Sequence, residues 1–474
     1  MFKYLKSVFI LLFLGLFVIG FYNYIGSKLV YLIFGIISLA MILTPFRKDY
    51  YFFEIFFTII IFVTFWLDFV VTISFFNYNF EEGRGFFSFN SNSLDDVLII
   101  SSLISFTIIV SIIFRSLIFP KKEKFENKII FNLQIKKKLE KYQFYIFLFL
   151  LLVVIIIGYT NYHFSIYQRG LISKNEVNFL IEGSIKWLLL FGFSSFFCII
   201  IDLFISNKIY KKFYIFIYSF FLILETFISN ISIFSRGNFL NSSSVVFAMY
   251  KEMKKNREIF FTVTVLLIFL FFLIGIEILS PLRGDPSLVS NISDTNNFIN
   301  SNDYDFNIFR EFVIISSNFF QAVFARLFGI EALMAVYSLD NLGFSLLYEA
   351  ATNKPQIGEP SFFDNLKNDI RVNSNDLVSF TLPGIVGFLY YSGSIPFLII
   401  SIFIIITFFN YVEFLVFRFC NNNLLLCSLF SQVIAFRLWH FGYNFPNTYL
   451  IFLAILLNLL FVFLIYKCLR IYKK

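Results

Sequence analysis

Runs of roughly 20 apolar residues recur along the whole chain, parted by short polar or basic stretches. A helix rises about 1.5 Å per residue, so each run is long enough for a hydrocarbon layer about 30 Å thick. The pattern predicts an all-α polytopic membrane bundle of about 12 transmembrane helices, roughly 7–24, 28–46, 51–73, 95–119, 143–163, 184–204, 213–230, 236–250, 259–279, 383–417, 424–440 and 448–466. The segment 236–250 is short, and 383–417 is too long for one straight crossing. The latter opens in SFTLPGIVGFLYYSGSIP, with Pro383, Gly384, Gly387, Gly393 and Pro396. Pro383 suits a helix start with Thr381 as a cap, and Ser392 to Pro396 reads as a break. Broken helices are tolerated at membrane depth only where protein or a wet cavity covers the freed backbone groups. The region is therefore expected to line a cavity, with a simple proline kink as the alternative.

One long polar interruption divides the helices into residues 1–279 and 381–474. The intervening loop, 280–380, holds Asn, Ser and Asp clusters, an apolar piece at 308–347, and a polar stretch from Thr352 to Asp376. The apolar piece reads as two helices, with Phe312, Ile315, Phe319 and Val323 at helical spacing and Arg310, Glu311 and Gln321 among them. Interfacial or re-entrant placement is expected, and a pair of extra spans is the alternative.

Composition sharpens the class. The chain is 59% hydrophobic and 14% charged, whereas soluble domains run to about 45–50% apolar and about 25% charged. The net charge of +8 follows from where lysine and arginine fall and is no nucleic-acid signature. With both termini inside, about 25 of the 38 basic residues lie on the cytoplasmic side. That orientation puts the 280–380 loop outside the cytoplasm. The first helix has a basic start but no clear cleavage site, so it is read as retained. Cys198, Cys420, Cys427 and Cys468 form no CxxC pair, which argues against a disulfide scaffold or a metal site.

Arginine carries the candidate chemistry. Arg326 stands within FFQAVFARLFGIEALMAV, where an unpaired charge is costly, so an anionic partner is expected. Glu331 follows five residues later, about 140° around a regular helix, and is read as a proton acceptor or a structural ion-pair partner. Arg236, in FSRGNFL, falls at an outer turn, where its planar fork suits phosphate oxygens. Arg283, in SPLRGDPS, opens the large loop. Arg437 and His440, in FRLWHFGYNFPNTY, share a helix face at a spacing of three, and a neutral imidazole can take a proton from a hydroxyl. Snorkelling arginines and an interfacial aromatic belt are the plainer readings of these positions. Asp303-Tyr304-Asp305 has a metal-binding spacing but lies outside the cytoplasm, so neither metal nor cofactor is expected. Asp68, Asp202, Glu225 and Glu413 fall within or near spans, mostly near span ends where water is in reach.

The stretches FSRGNFL, ARLFGIEALMAV, TLPGIVGFLYYSGS and FRLWHFGYNFPNTY, with many spans and a large late loop, resemble the O-antigen polymerase (Wzy) group of oligosaccharide repeat-unit polymerases. Some members of that group carry two loops with Arg, ten residues, then Gly. Arg169, Arg326 and Arg371 do not meet that spacing here. The resemblance implies a membrane glycosyltransferase of lipopolysaccharide biosynthesis that joins undecaprenyl-diphosphate-linked oligosaccharides among membrane lipids, with a chain-length regulator protein as a possible partner. On the matching motifs it marks Arg236, Arg326, Glu331, Arg437 and His440 as functional. Arg236, Arg326 and Arg437 are expected to hold the diphosphate, with Arg283 also a binding residue. Glu331 or His440 is expected to take the acceptor proton, and Tyr390 and Tyr391 to stack on sugar rings. The alternatives are an O-antigen ligase and a flippase or transporter of the same lipid-linked unit.

Overall fold

Three consecutive asparagines show how local chemistry shapes the bundle. Asn421 and Asn422 take left-handed backbone angles, which Asn adopts more readily than most residues. Asn423 then caps the next helix, its Oδ1 accepting from the Leu426 N–H at 3.0 Å, while its Nδ2 donates to the Tyr466 hydroxyl at 2.9 Å. Elsewhere Asn90 caps a long helix through the Ser93 N–H at 2.8 Å.

The computed structural model describes residues 2–47, 50–78, 80, 86–119, 133–168, 178–207, 212–235, 237–252, 257–283, 329–354, 361–367, 382–442 and 445–471. The elements among them are α1 (Phe2–Asn23), α2 (Lys28–Leu43), α3 (Phe52–Phe75), α4 (Ser91–Ile118), α5 (Leu133–Phe164), α6 (Phe179–Ser206), α7 (Lys212–Ser232), α8 (Phe239–Glu252), α9 (Arg257–Arg283), α10 (Ile330–Tyr337), α11 (Phe344–Thr352), α12 (Phe362–Lys367), α13 (Gly384–Tyr390), α14 (Ile395–Phe419), α15 (Leu424–Trp439) and α16 (Phe445–Ile471). All are helical. Seven of these helices are long and apolar enough to cross a membrane, and four shorter ones are apolar, so this is a helical membrane protein.

Helix α15 is the axis of the bundle. It packs on α3, α6, α8 and α14 and is buried nearly throughout. At one end, called the base, charges tie its neighbours together. Glu413 of α14 accepts the Phe52 and Phe53 N–H groups at 3.0 and 2.8 Å, capping α3 from outside, and accepts the Ser431 hydroxyl of α15 at 2.9 Å. Beside it Arg115 of α4 grips Glu54 of α3 through Nε and Nη2, at 2.7 and 2.6 Å. Asn410 also donates to Glu54, at 3.1 Å, and the guanidinium lies over the Tyr51 ring.

The opposite end, the mouth, is where α1 and α3 finish and α4 begins. Tyr24 and the Ser27 N–H both donate to Asp95 there, closing the α1–α2 turn against α4. The acids expected to reach water are instead buried. Glu225 accepts from Ser194 and Ser229, and Asp202 from Ser206 and Tyr466, so interior hydroxyls take the place of solvent. Asp68 differs. It is 1% exposed, and neither carboxylate oxygen meets a donor among the described residues.

Candidate functional site

The site is built around α10. Gly329, just before it, presses on α3 so closely that an added Cβ would stand 2.5 Å from the Thr64 carbonyl oxygen. Thr64 lies about 16 Å, or 11 residues, below the mouth end of α3. At its other end α10 reaches α4, where the Tyr337 hydroxyl donates to Asp96 at 2.6 Å. The helix therefore starts at mid-depth and climbs to the rim. Its first seven residues are buried. It is packed inside the bundle rather than lying on its surface, and its eight residues are by themselves too few to span. Helix α11 sits at the rim, with Phe344 and Tyr348 exposed. The remainder of the apolar piece, 308–328, lies outside the described residues.

Helix α13 forms the opposite wall. Gly384 has φ +62, a left-handed conformation that glycine adopts without strain, and an added Cβ would lie 3.0 Å from the Trp439 carbonyl oxygen. Pro383 takes the N-cap position, with no side-chain cap, and Thr381 lies outside the described residues. The expected break is present. Helix α13 ends at Tyr390, Gly393 has φ +64, and α14 starts at Ile395 with Ser394 accepting the Phe397 N–H. Between α3 and α13 runs a narrow apolar cleft. Phe57, Ile60, Ile61, Thr64 and Phe65 line one side, Pro383 to Val386 the other, and Gly329 and Trp439 close it.

Arg437 and His440 flank Trp439 in the chain, and both lie against the Phe436 ring. The Arg437 guanidinium lies over the Phe436 ring at 5.6 Å, and the His440 ring centroid is 4.2 Å from the same ring. His440 ends α15, its N–H donating to the Phe436 carbonyl. Its Nδ1 lies 3.2 Å from that carbonyl oxygen. A carbonyl only accepts, so Nδ1 carries the proton and Nε2 becomes the acceptor of the neutral ring. A cation here also suits the negative end of the helix.

Glu331 is buried in the first turn of α10, where a carboxylate suits the positive helix end. Arg236 and Arg326 lie outside the described residues. The neighbours of Arg236 are held at the mouth. The Ser235 N–H donates to the Asn230 carbonyl, and Asn238 and Asn241 donate to the Leu189 and Leu190 carbonyls, both at 2.9 Å. Those carbonyls belong to a π-helical segment of α6, Leu188–Gly192, whose wider turn leaves them open to side chains. Arg283 is the last residue of α9.

Tyr390 and Tyr391 depart from the stacking expectation. They are 5% and 1% exposed. The Tyr391 ring packs against Phe362 and Phe388, which leaves no face for a sugar, and burial pushes its phenol well up from the ordinary value. The Tyr390 ring is buried too. Sequence reasoning missed Asp96 and Tyr337, which only the packing of α10 on α4 brings together. Comparison with protein-family models, with curated proteins and with solved structures finds no match.

Proposed function

We propose that this protein is a membrane glycosyltransferase that polymerises undecaprenyl-diphosphate-linked oligosaccharide repeat units, at the periplasmic face of a bacterial inner membrane. In this reading the mouth faces the periplasm, both termini are cytoplasmic, and α1 to α9 with α14, α15 and α16 make 12 crossings. The observation that carries it is the placing of Arg437 and His440 against one ring, Phe436, at the end of α15. A guanidinium beside an imidazole that can accept a proton suits an anionic diphosphate and a sugar hydroxyl.

The growing glycan on its polyprenyl diphosphate is the donor, and a sugar hydroxyl of one lipid-linked repeat is the acceptor. Charge grows on the departing diphosphate in the transition state. A fixed guanidinium in a low-dielectric setting stabilises that charge with little reorganisation. Arg437 fills this role, with Arg236, Arg283 and Arg326 as further cations. His440 Nε2 or Glu331 takes the acceptor proton.

The test is genetic. Arg437→Ala and His440→Ala are introduced into the host, protein level is verified, and surface polysaccharide is run on a gel. A polymerase defect leaves single repeats on the core, and a ligase defect leaves none. Unchanged long chains in both variants sink the assignment. A second reading, transport of the same lipid-linked unit, draws on Asp68, a carboxyl buried midway along α3 that meets no donor among the described residues. It predicts repeats stranded on the cytoplasmic face in Asp68→Asn.

A further inference from the structure

Two adjacent aspartates in the second turn of α4 serve different neighbours. Asp95 accepts from the Tyr24 hydroxyl at 2.6 Å and from the Ser27 N–H at 2.9 and 3.1 Å, so both its oxygens fasten the α1–α2 turn. Asp96 faces the other way. It is exposed at the mouth, and its Oδ2 accepts from Tyr337 at 2.6 Å. The edge of the Phe87 ring meets Tyr337 with centroids 6.1 Å apart.

A tie between α10 and α4 needs one carboxylate oxygen. Here the carboxylate is held in place by that tie and still faces water. An ionised carboxylate only accepts hydrogen bonds and has about four lone-pair sites, and the Tyr337 hydroxyl, donating to it, can still accept. A negative charge at this point repels a diphosphate and favours a ligand rich in hydroxyl donors. Tyr337 is six residues, about 9 Å of helix rise, above Glu331. A chain entering from the mouth reaches Asp96 before it reaches the foot of α10.

We infer that Asp96, with the Tyr337 hydroxyl, forms a subsite that binds a neutral sugar of the glycan through its hydroxyls. This rests on the polymerase reading above and assigns the glycan a place separate from the diphosphate.

The test uses purified full-length protein in nanodiscs with two probes, a soluble repeat-unit oligosaccharide released from the host's surface glycan and undecaprenyl diphosphate. Wild type binds both. Asp96→Asn weakens oligosaccharide binding by about tenfold or more, the loss expected for a hydrogen bond to a charged group. Tyr337→Phe, which keeps the ring packing, weakens it by a smaller factor. Neither variant changes undecaprenyl diphosphate affinity. Equal oligosaccharide affinity in wild type and both variants overturns the subsite, as does parallel loss of both ligands in both variants. Wild-type binding of undecaprenyl diphosphate alone overturns the subsite and leaves the polymerase reading standing. Wild-type binding of neither probe overturns both.

Discussion

Gly329 rests against the backbone of Thr64, so that a single added carbon would stand 2.5 Å from the Thr64 carbonyl oxygen and 2.6 Å from its Cβ. The contact seats α10 at half the depth of α3 and holds Glu331 inside the bundle. Backbone cannot yield as a flexible side chain does. Gly329→Val is expected to push α10 outward and to destabilise the protein by about 1–3 kcal/mol, the range for overpacking. A lower thermal midpoint in detergent, with shortened surface polysaccharide, is the expected result. A wild-type midpoint would show that α10 is not seated as described.

At the base the Arg115–Glu54 pair is buried on both sides. Arg115→Met takes the guanidinium away from Glu54 and is expected to cost about 3–5 kcal/mol, much of it for the uncompensated charge. The double variant Arg115→Met, Glu54→Leu should recover most of that loss. Unfolding of the three proteins in denaturing detergent compares them directly, and a double variant no better than the single one would place the stability in the pair itself.

Asp68 offers the reverse case. Its oxygens meet no donor among the described residues, so Asp68→Asn breaks no hydrogen bond with any of these. The thermal midpoint should hold or rise, because an ionisable group leaves the interior. On the polymerase reading the polysaccharide ladder is unchanged in this variant. A lost ladder with repeats held on the cytoplasmic face would favour transport.

The Tyr337–Asp96 bond carries a pH signature. The hydrogen bond to Asp96, then burial, raises the Tyr337 phenol from 10.0 to about 12. The folded state thus holds this proton more tightly than the unfolded chain. Its contribution is complete below pH 10.0 and is lost as pH climbs toward about 12. Wild type should lose stability across that window more steeply than Tyr337→Phe. Parallel alkaline melting curves would contradict the raised value.

The sequence exposed what depends on neighbours along the chain. Apolar runs gave the helices, and Gly393 with Pro396 marked the break between α13 and α14. What depends on distant partners stayed hidden. Glu413 looked like an acid near water because nothing in its vicinity shows that Phe52 and Phe53, 361 and 360 residues away, bring their N–H groups to it. Tyr391 looked like a sugar platform until Phe362 covered it. The π-helical segment that frees the Leu189 and Leu190 carbonyls has no residue signature, and only the asparagines that use them hint at it. Within the site, Arg437 and His440 were legible as a pair because one helix end carries both, whereas Asp96 and Tyr337 are 241 residues apart.

The account stands or falls on chain extension by the isolated protein. Purified protein in liposomes would be given undecaprenyl-diphosphate-linked repeat units from the host, and the products separated by size. The expected result is a ladder of lengthening glycans with release of undecaprenyl diphosphate, slowed at least about tenfold by Arg437→Ala, as loss of one fixed charge donor predicts. Repeat units that stay single, or a ladder untouched by Arg437→Ala, would contradict it.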